Sequence, residues 1–196
     1  MSSPRYLIAI TGGIGSGKSV VSKILMKLGY PVYDCDSRAK SIMDSSEAIK
    51  TALRDEISPD VITADNSIDR KRLSQIVFSD STKLAKLNGI VHSAVRDDIL
   101  SWISDKKISF VETAILYESG LDRMVNQVWQ VVAPPELRIE RVMKRNGMTE
   151  QQIRARIEAQ DGYEPERLHG SIRQIVNDSV EPLIPQILRL TDSLIG

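Results

Sequence analysis

The chain has 196 residues, of which 41% are hydrophobic and 27% charged. That is ordinary globular usage, and it excludes a disordered chain and favours one domain, residues 1–196, carrying an elaboration. Lys plus Arg and Asp plus Glu both number 26, so no bulk positive field exists to hold a nucleic-acid partner.

Tyr6 to Ile10 reads as a short, wholly apolar strand, buried on both faces as in a parallel sheet. Its apolar run, Leu7 to Ile10, is far too short for a signal-peptide core or a membrane span. The expectation is a cytoplasmic protein with no membrane partner, a monomer or weak homo-oligomer. A glycine-rich stretch follows, Thr11 to Gly17, and then a helix from about Lys18 with Val21, Ile24, Leu25 and Leu28 on its apolar face and Gly29 as its stop. Pro31-Val32-Tyr33 is a second strand, ending at Asp34-Cys35-Asp36. Cys35 is the only cysteine, so no intramolecular disulfide exists; with two histidines, His92 and His169, it argues against zinc.

Asp44 to Ser81 is polar and mostly helical, with turn signals at Ser58-Pro59-Asp60 and Asp65-Asn66. It reads as an insertion between strands rather than a separate domain. Leu84, Leu87, Val91, Val95, Ile99 and Ile103 then recur at helical spacing. Together these segments form a helical insertion over about 38–106, read as the acceptor side. Phe110 to Thr113 and Val128 to Ala133 are further strands, and Ile175-Val176 is a weaker one. Pro182 to Ile195 is an apolar-faced helix whose prolines, Pro182 and Pro185, fit only before or within its first turn. Strands alternating with helices predict a three-layer α/β/α domain around a parallel five-stranded sheet.

Gly12-Gly13-Ile14-Gly15-Ser16-Gly17-Lys18-Ser19 matches G-x-x-x-x-G-K-[ST] at every fixed position, between a buried strand and a helix. The glycines let several N–H groups converge on one anion, and the helix start adds partial positive charge. Gly13, Ile14, Gly15, Ser16, Gly17, Lys18, Ser19 and Val20 are therefore the nucleotide cradle for ATP. Lys18 is expected to reach the β- and γ-phosphates, and the Ser19 hydroxyl to ligate Mg²⁺. The chain has no N-K-x-D string, no L-S-G-G-Q string and no hydrophobic run ending in Asp-Glu, so GTPases, transporter ATPases and remodelling ATPases are disfavoured. A short chain of this kind fits a small-molecule kinase.

Asp34 and Asp36 follow a strand end, where ligands bind in open α/β sheets. A kinase needs a carboxylate within reach of the attacking hydroxyl. The alternative is a helix cap, Asp36 or Ser37 capping a helix that starts near Arg38. Arg138, Arg141 and Arg145 share one helix face, Arg145-Asn146-Gly147 breaks that helix, and Thr149 to Gln152 restarts another with a T-x-x-Q capping box. This has the shape of a lid, over about 136–162, able to bring guanidinium groups to a transferring phosphate. The alternative is a solvated face pairing with Glu136 and Glu140, which is the reading for Arg138 and Lys144. His92 lies within an apolar helical pattern and reads as structural.

Five segments lie in order along nearly the whole chain: Thr11 to Ser19, reading T-G-G-I-G-S-G-K-S; Val32-Tyr33-Asp34-Cys35-Asp36, similar to V-x-D-A-D; Ile68-Asp69-Arg70-Lys71-Arg72-Leu73 with Val77-Phe78; Ala133 to Glu136 with Arg141 and Arg145; and Ala159-Gln160. Through these the sequence resembles the dephospho-CoA kinase family. The resemblance implies ATP-dependent phosphorylation of the ribose 3′-hydroxyl of dephospho-CoA. It implies Asp36 as the base, Thr11 and Glu118 beside that substrate, Arg141 on the nucleotide and Arg145 on the transferring phosphate. The departures are His92-Ser93 for His-Pro, Ala114 for the proline of D-x-P-L-L-F-E, and Ile175-Val176-Asn177-Asp178 for V-I-D-N. The rivals are another kinase, for a nucleoside, nucleotide or sugar acid, and a nucleotide-dependent regulatory protein.

Overall fold

The computed structural model describes residues 5–161 and 167–195. A strand of buried aliphatics needs hydrogen-bonding partners on both edges. β1 (Tyr6–Thr11) finds them at the centre of a five-stranded sheet with β2 (Val32–Asp34), β3 (Ile108–Glu112), β4 (Gln127–Val132) and β5 (Ile172–Val176), ordered β2-β3-β1-β4-β5. β1 runs parallel to β3, with Ile8 opposite Phe110, and to β4, with Ile10 opposite Trp129. β4 runs parallel to β5, with Val131 opposite Ile175. The expected parallel α/β sheet is therefore present. The second strand begins one residue later than expected, because Pro31 has no N–H to give a ladder; its carbonyl instead accepts the Phe110 N–H at 2.9 Å. β5 is longer than its apolar signal, since Arg173 and Gln174 face solvent.

α1 (Lys18–Lys27) and α8 (Leu183–Ile195) pack on each other, on β1 and on β5 respectively. Ile8, Ile10, Leu25, Phe110, Trp129 and Ile187 are fully buried in the core they share. Each such side chain contributes roughly 1.5–3 kcal/mol by leaving water. The Trp129 ring meets Phe110 edge-on, with centroids 5.0 Å apart, and its indole N–H donates to Gln127 Oε1 at 2.6 Å. α1 stops as its sequence suggests: Leu28 caps it and Gly29 has φ +90°. Pro185 is the third residue of α8, in its first turn.

α6 (Pro135–Asn146) and α7 (Glu150–Asp161) form a helical hairpin around Ile139, Val142, Ile153 and Ile157. Pro135 opens α6, and Gly147, at φ +63°, ends it. The expected capping box forms: Thr149 Oγ1 accepts the Gln152 N–H at 3.3 Å, and Gln152 Oε1 accepts the Thr149 N–H at 3.0 Å.

The chain divides into two compact units, Met1–Tyr33 with Lys106–Gly196, and Asp34–Asp105. The second unit holds α2 (Cys35–Ser45), α3 (Glu47–Glu56), α4 (Arg70–Phe78) and α5 (Ser81–Trp102). Its helices pack on α5 around its own core of Ile49, Leu53, Val61, Leu73 and Val77. All four start on a capping side chain, respectively Asp34, Ser46, Asp69 and Asp80. The turn expected at Asp65-Asn66 is present, with Asn66 at φ +63°. His92, on α5, is half-buried; burial first, and then the neighbouring Arg96 charge, push its imidazole below its ordinary pKa. A neutral ring of that kind suits the structural role read from its apolar setting. Among the described residues no helix is long and apolar enough to cross a membrane.

Candidate active site

The last residue of β1, Thr11, is buried, and the chain turns from it into the loop Gly12 to Gly17 before α1 begins at Lys18. Two glycines are required by close approach. At Gly15, φ +77°, an added Cβ would lie 2.5 Å from the Arg138 carbonyl oxygen. At Gly17, φ +98°, it would run into Asn177 Nδ2. The loop is thus pressed between the start of α6 and the end of β5, and only residues without a side chain fit.

The loop offers donors. The Gly15, Gly17 and Ser19 N–H groups have no acceptor among the described residues, whereas the Ser16 N–H bonds the Gly13 carbonyl at 3.2 Å. Unpaired amides at a helix start form an anion cradle, so the residues fit a nucleotide phosphate. Lys18 Nζ donates to the carbonyl oxygens of Gly12 at 2.7 Å and Gly13 at 3.4 Å, so it arches over the loop. The side chain is half-buried, because those carbonyls draw it inward. Ser19 and Val20 are exposed in the first turn of α1, where the Ser19 hydroxyl could serve as a metal ligand. Ser16 is buried, and its hydroxyl has no hydrogen-bond partner among the described residues.

Three residues hold this loop that its motif does not specify. Arg138 is only 7% exposed, and its Nε donates to the Ile14 carbonyl at 2.9 Å. Arg138 therefore does not belong to the solvated face expected for it. That face exists without it: Lys144 pairs with Glu140 at 2.6 Å, and Arg154 with Glu136 at 3.1 Å. Gln160 Oε1 accepts the Ile14 N–H at 2.7 Å, and Ile14 packs against the hairpin core. Asn177 Nδ2 donates to the Ser16 carbonyl at 2.7 Å, while its Oδ1 accepts from Arg141 Nη2 at 3.2 Å. Arg141 also donates to Ser179 Oγ at 3.1 Å, and its other terminal nitrogen, Nη1, is buried with no hydrogen-bond partner among the described residues. Arg145, one turn on, is exposed. Asp178 Oδ1 accepts the N–H groups of Val180 and Glu181, both at 2.9 Å, and these bonds hold its carboxyl below the usual range.

Thr11, Gly12, Gly13, Ala114, Glu118 and Gln160 line part of a cleft of about 400 Å³. Glu118 is exposed at its wall. The acidic pair divides differently from the alternative of a cap at Asp36 or Ser37. Asp34 is the cap: its Oδ1 accepts the N–H groups of Asp36 at 3.0 Å and Ser37 at 3.1 Å, and its Oδ2 accepts the Ser37 hydroxyl at 2.6 Å. The strand runs one residue further than its apolar signal, so α2 starts at Cys35 and the cap moves back with it. Asp36 is left exposed in the first turn of α2, with its carboxylate uncommitted among the described residues. Asp34→Ala is expected to cost about 0.5–2 kcal/mol. Asp34→Asn should cost much less. Melting of both variants checks this, and an Ala variant as stable as its parent would remove the cap.

A parallel sheet whose central strand runs into this loop, with a helical hairpin gripping the loop, defines a P-loop kinase. The dephospho-CoA kinase family model matches residues 6–182. The dephospho-CoA kinase of Porphyromonas gingivalis is 39% identical over 190 residues, covering 95% of this chain and 93% of that protein. That of Geobacillus kaustophilus is 38% identical over 158 residues, covering 78% of this chain and 79% of that protein. Among solved structures, TT1252 from Thermus thermophilus has a TM-score of 0.78 at 30% identity, covering 97% of this chain and 96% of that one. The dephospho-CoA kinase from Campylobacter jejuni shares the fold, with a TM-score of 0.68 at 24% identity over 97% of this chain and 98% of that one. The chain belongs to the dephospho-CoA kinase family and is a phosphotransferase.

Proposed function

We propose that the protein transfers the γ-phosphoryl group of ATP to the ribose 3′-hydroxyl of dephospho-CoA, giving coenzyme A and ADP. The observation that carries this is a loop whose Gly15, Gly17 and Ser19 N–H groups have no acceptor among the described residues, with Lys18 folded over it, in a chain of this family. In the transfer, the bond from the ribose oxygen to the γ-phosphorus forms and the bond from that phosphorus to the β,γ-bridging oxygen breaks. The hydroxyl proton passes to the Asp36 carboxylate, and ADP leaves.

The loop from Gly13 to Val20 binds the β- and γ-phosphates, with Lys18 as the mobile charge. Transfer spreads negative charge over the γ-phosphate oxygens, so cations placed there lower the barrier. Lys18 and Arg145 supply that charge. Arg141 takes the nucleotide, supported by its buried Nη1, which has no hydrogen-bond partner among the described residues. Mg²⁺, when bound at Ser19, neutralises phosphate charge. Thr11 and Glu118 face the acceptor, supported by their place in the 400 Å³ cleft. The α6–α7 hairpin serves as the lid, the helices of Asp34–Asp105 as the acceptor side, and the cytoplasm as the setting of this biosynthetic step.

Arg145→Ala is expected to lower kcat more than it raises KM for ATP, since its charge acts on the transition state. Arg145→Lys should not restore full activity, because an ammonium lacks the planar fork of donors. Steady-state kinetics of both variants checks this, and unchanged kcat and kcat/KM would return Arg145 to the solvated face. The regiochemistry is tested by phosphorus NMR of the product formed from dephospho-CoA. A new phosphomonoester coupled to the ribose 3′-proton is expected; phosphate at any other position contradicts the proposal.

A further inference from the structure

Gln160 lies in the last turn of α7, far in sequence from the phosphate loop, and neither the loop motif nor the lid arginines give it a role. Its Oε1 accepts the Ile14 N–H at 2.7 Å. Other amides of that loop, those of Gly15, Gly17 and Ser19, have no acceptor among the described residues. Gln160 therefore does for Ile14 what an anion does for such groups: it satisfies a donor that is costly to leave bare. The amide oxygen also sits over the loop, since a Cβ on Gly13 would lie 3.3 Å from it. The same side chain lines the cleft with Thr11, Gly12 and Gly13. Arg138 Nε grips the Ile14 carbonyl from α6 at 2.9 Å, so residue 14 is held on both sides by one hairpin.

We propose that Gln160 is a latch displaced by nucleotide: its amide oxygen holds the Ile14 N–H until a nucleotide phosphate oxygen takes its place, and nucleotide binding thereby frees the end of α7. The inference rests on the reading of this loop as the ATP site. Both acceptors compete for one N–H. A phosphate oxygen is charged, and charge-assisted hydrogen bonds are shorter and roughly twice as strong as neutral ones. Exchange therefore runs towards nucleotide, and the affinity for nucleotide is reduced by the strength of the latch. Arg138 keeps its hold on the Ile14 carbonyl throughout, so the loop does not drift when Gln160 leaves.

The test is calorimetric titration of ATP, without acceptor, into the parent protein, Gln160→Ala, Gln160→Met and Gln160→Glu. Removing the latch should tighten ATP binding by about two- to tenfold in the Ala variant, the value of one net hydrogen bond. The Met variant, close in size and apolar, should tighten it likewise, which guards against an effect of truncation on the helix end. The Glu variant should weaken binding by about tenfold or more, because a carboxylate binds the amide more strongly and repels phosphate. A purely structural role would weaken binding in all three, and that result, or equal affinities throughout, overturns the latch. Absence of ATP binding by the parent protein would instead overturn the reading of the loop itself.

Discussion

Lys18→Ala is expected to cut phosphoryl transfer by about 10²–10³-fold, the scale of losing one preorganised charge at the reacting phosphate. The side chain is already folded over the loop, with Nζ 2.7 Å from the Gly12 carbonyl oxygen. Phosphate oxygens carry more charge than a carbonyl, so Nζ exchanges that partner for the β- and γ-phosphates with little movement of its stem. Stability should change on the order of 1 kcal/mol, because the bonds lost are to backbone carbonyls at a half-buried site that water can reach. Turnover and melting measured on the same preparation check both halves. Near-parental turnover in a folded Lys18→Ala protein would refute the role.

Asp36→Asn should lower kcat by about 10²–10⁴-fold, the usual worth of general base catalysis, and leave ATP affinity little changed. Asn preserves the shape of the side chain but cannot accept a proton. The structure sharpens the experiment, because the competing explanation, loss of a helix cap, is assigned to Asp34. Melting of the Asp36→Asn protein should therefore match its parent. An active Asp36→Asn variant would remove Asp36 from the chemistry.

The parts of the fold written in local pattern are legible in the sequence. β1, α1 and the loop between them follow from an apolar run, glycines at fixed spacing and a 3.6-residue period. The capping box at Thr149 is equally local. β5 reads short in sequence because Arg173 and Gln174 carry no apolar signal, and its register comes from pairing with β4 instead. The cap of α2 reads at least two residues late, because the position of a strand end decides which of two nearby carboxylates faces the helix N–H groups.

The residues that hold the loop are the least legible. Arg138, Gln160 and Asn177 reach it across 124, 146 and 161 residues of chain. No local periodicity carries such contacts. Arg138 looks like one more charge on a charged helix, and only its burial against Ile14 tells it from Lys144. The signals that exist are indirect. Gln160 sits in the Ala159-Gln160 segment of the family resemblance, and Asn177 in the segment that departs from V-I-D-N. There, Asn177 is the residue that braces Ser16, while Asp178 caps the turn that follows.

Acceptor choice tests the central claim most directly. ADP release from ATP would be followed with dephospho-CoA, adenosine, AMP and a sugar acid offered separately at equal concentration. Strong acceleration by dephospho-CoA alone is the expected result. Acceleration by any of the other acceptors, with none by dephospho-CoA, would contradict the account.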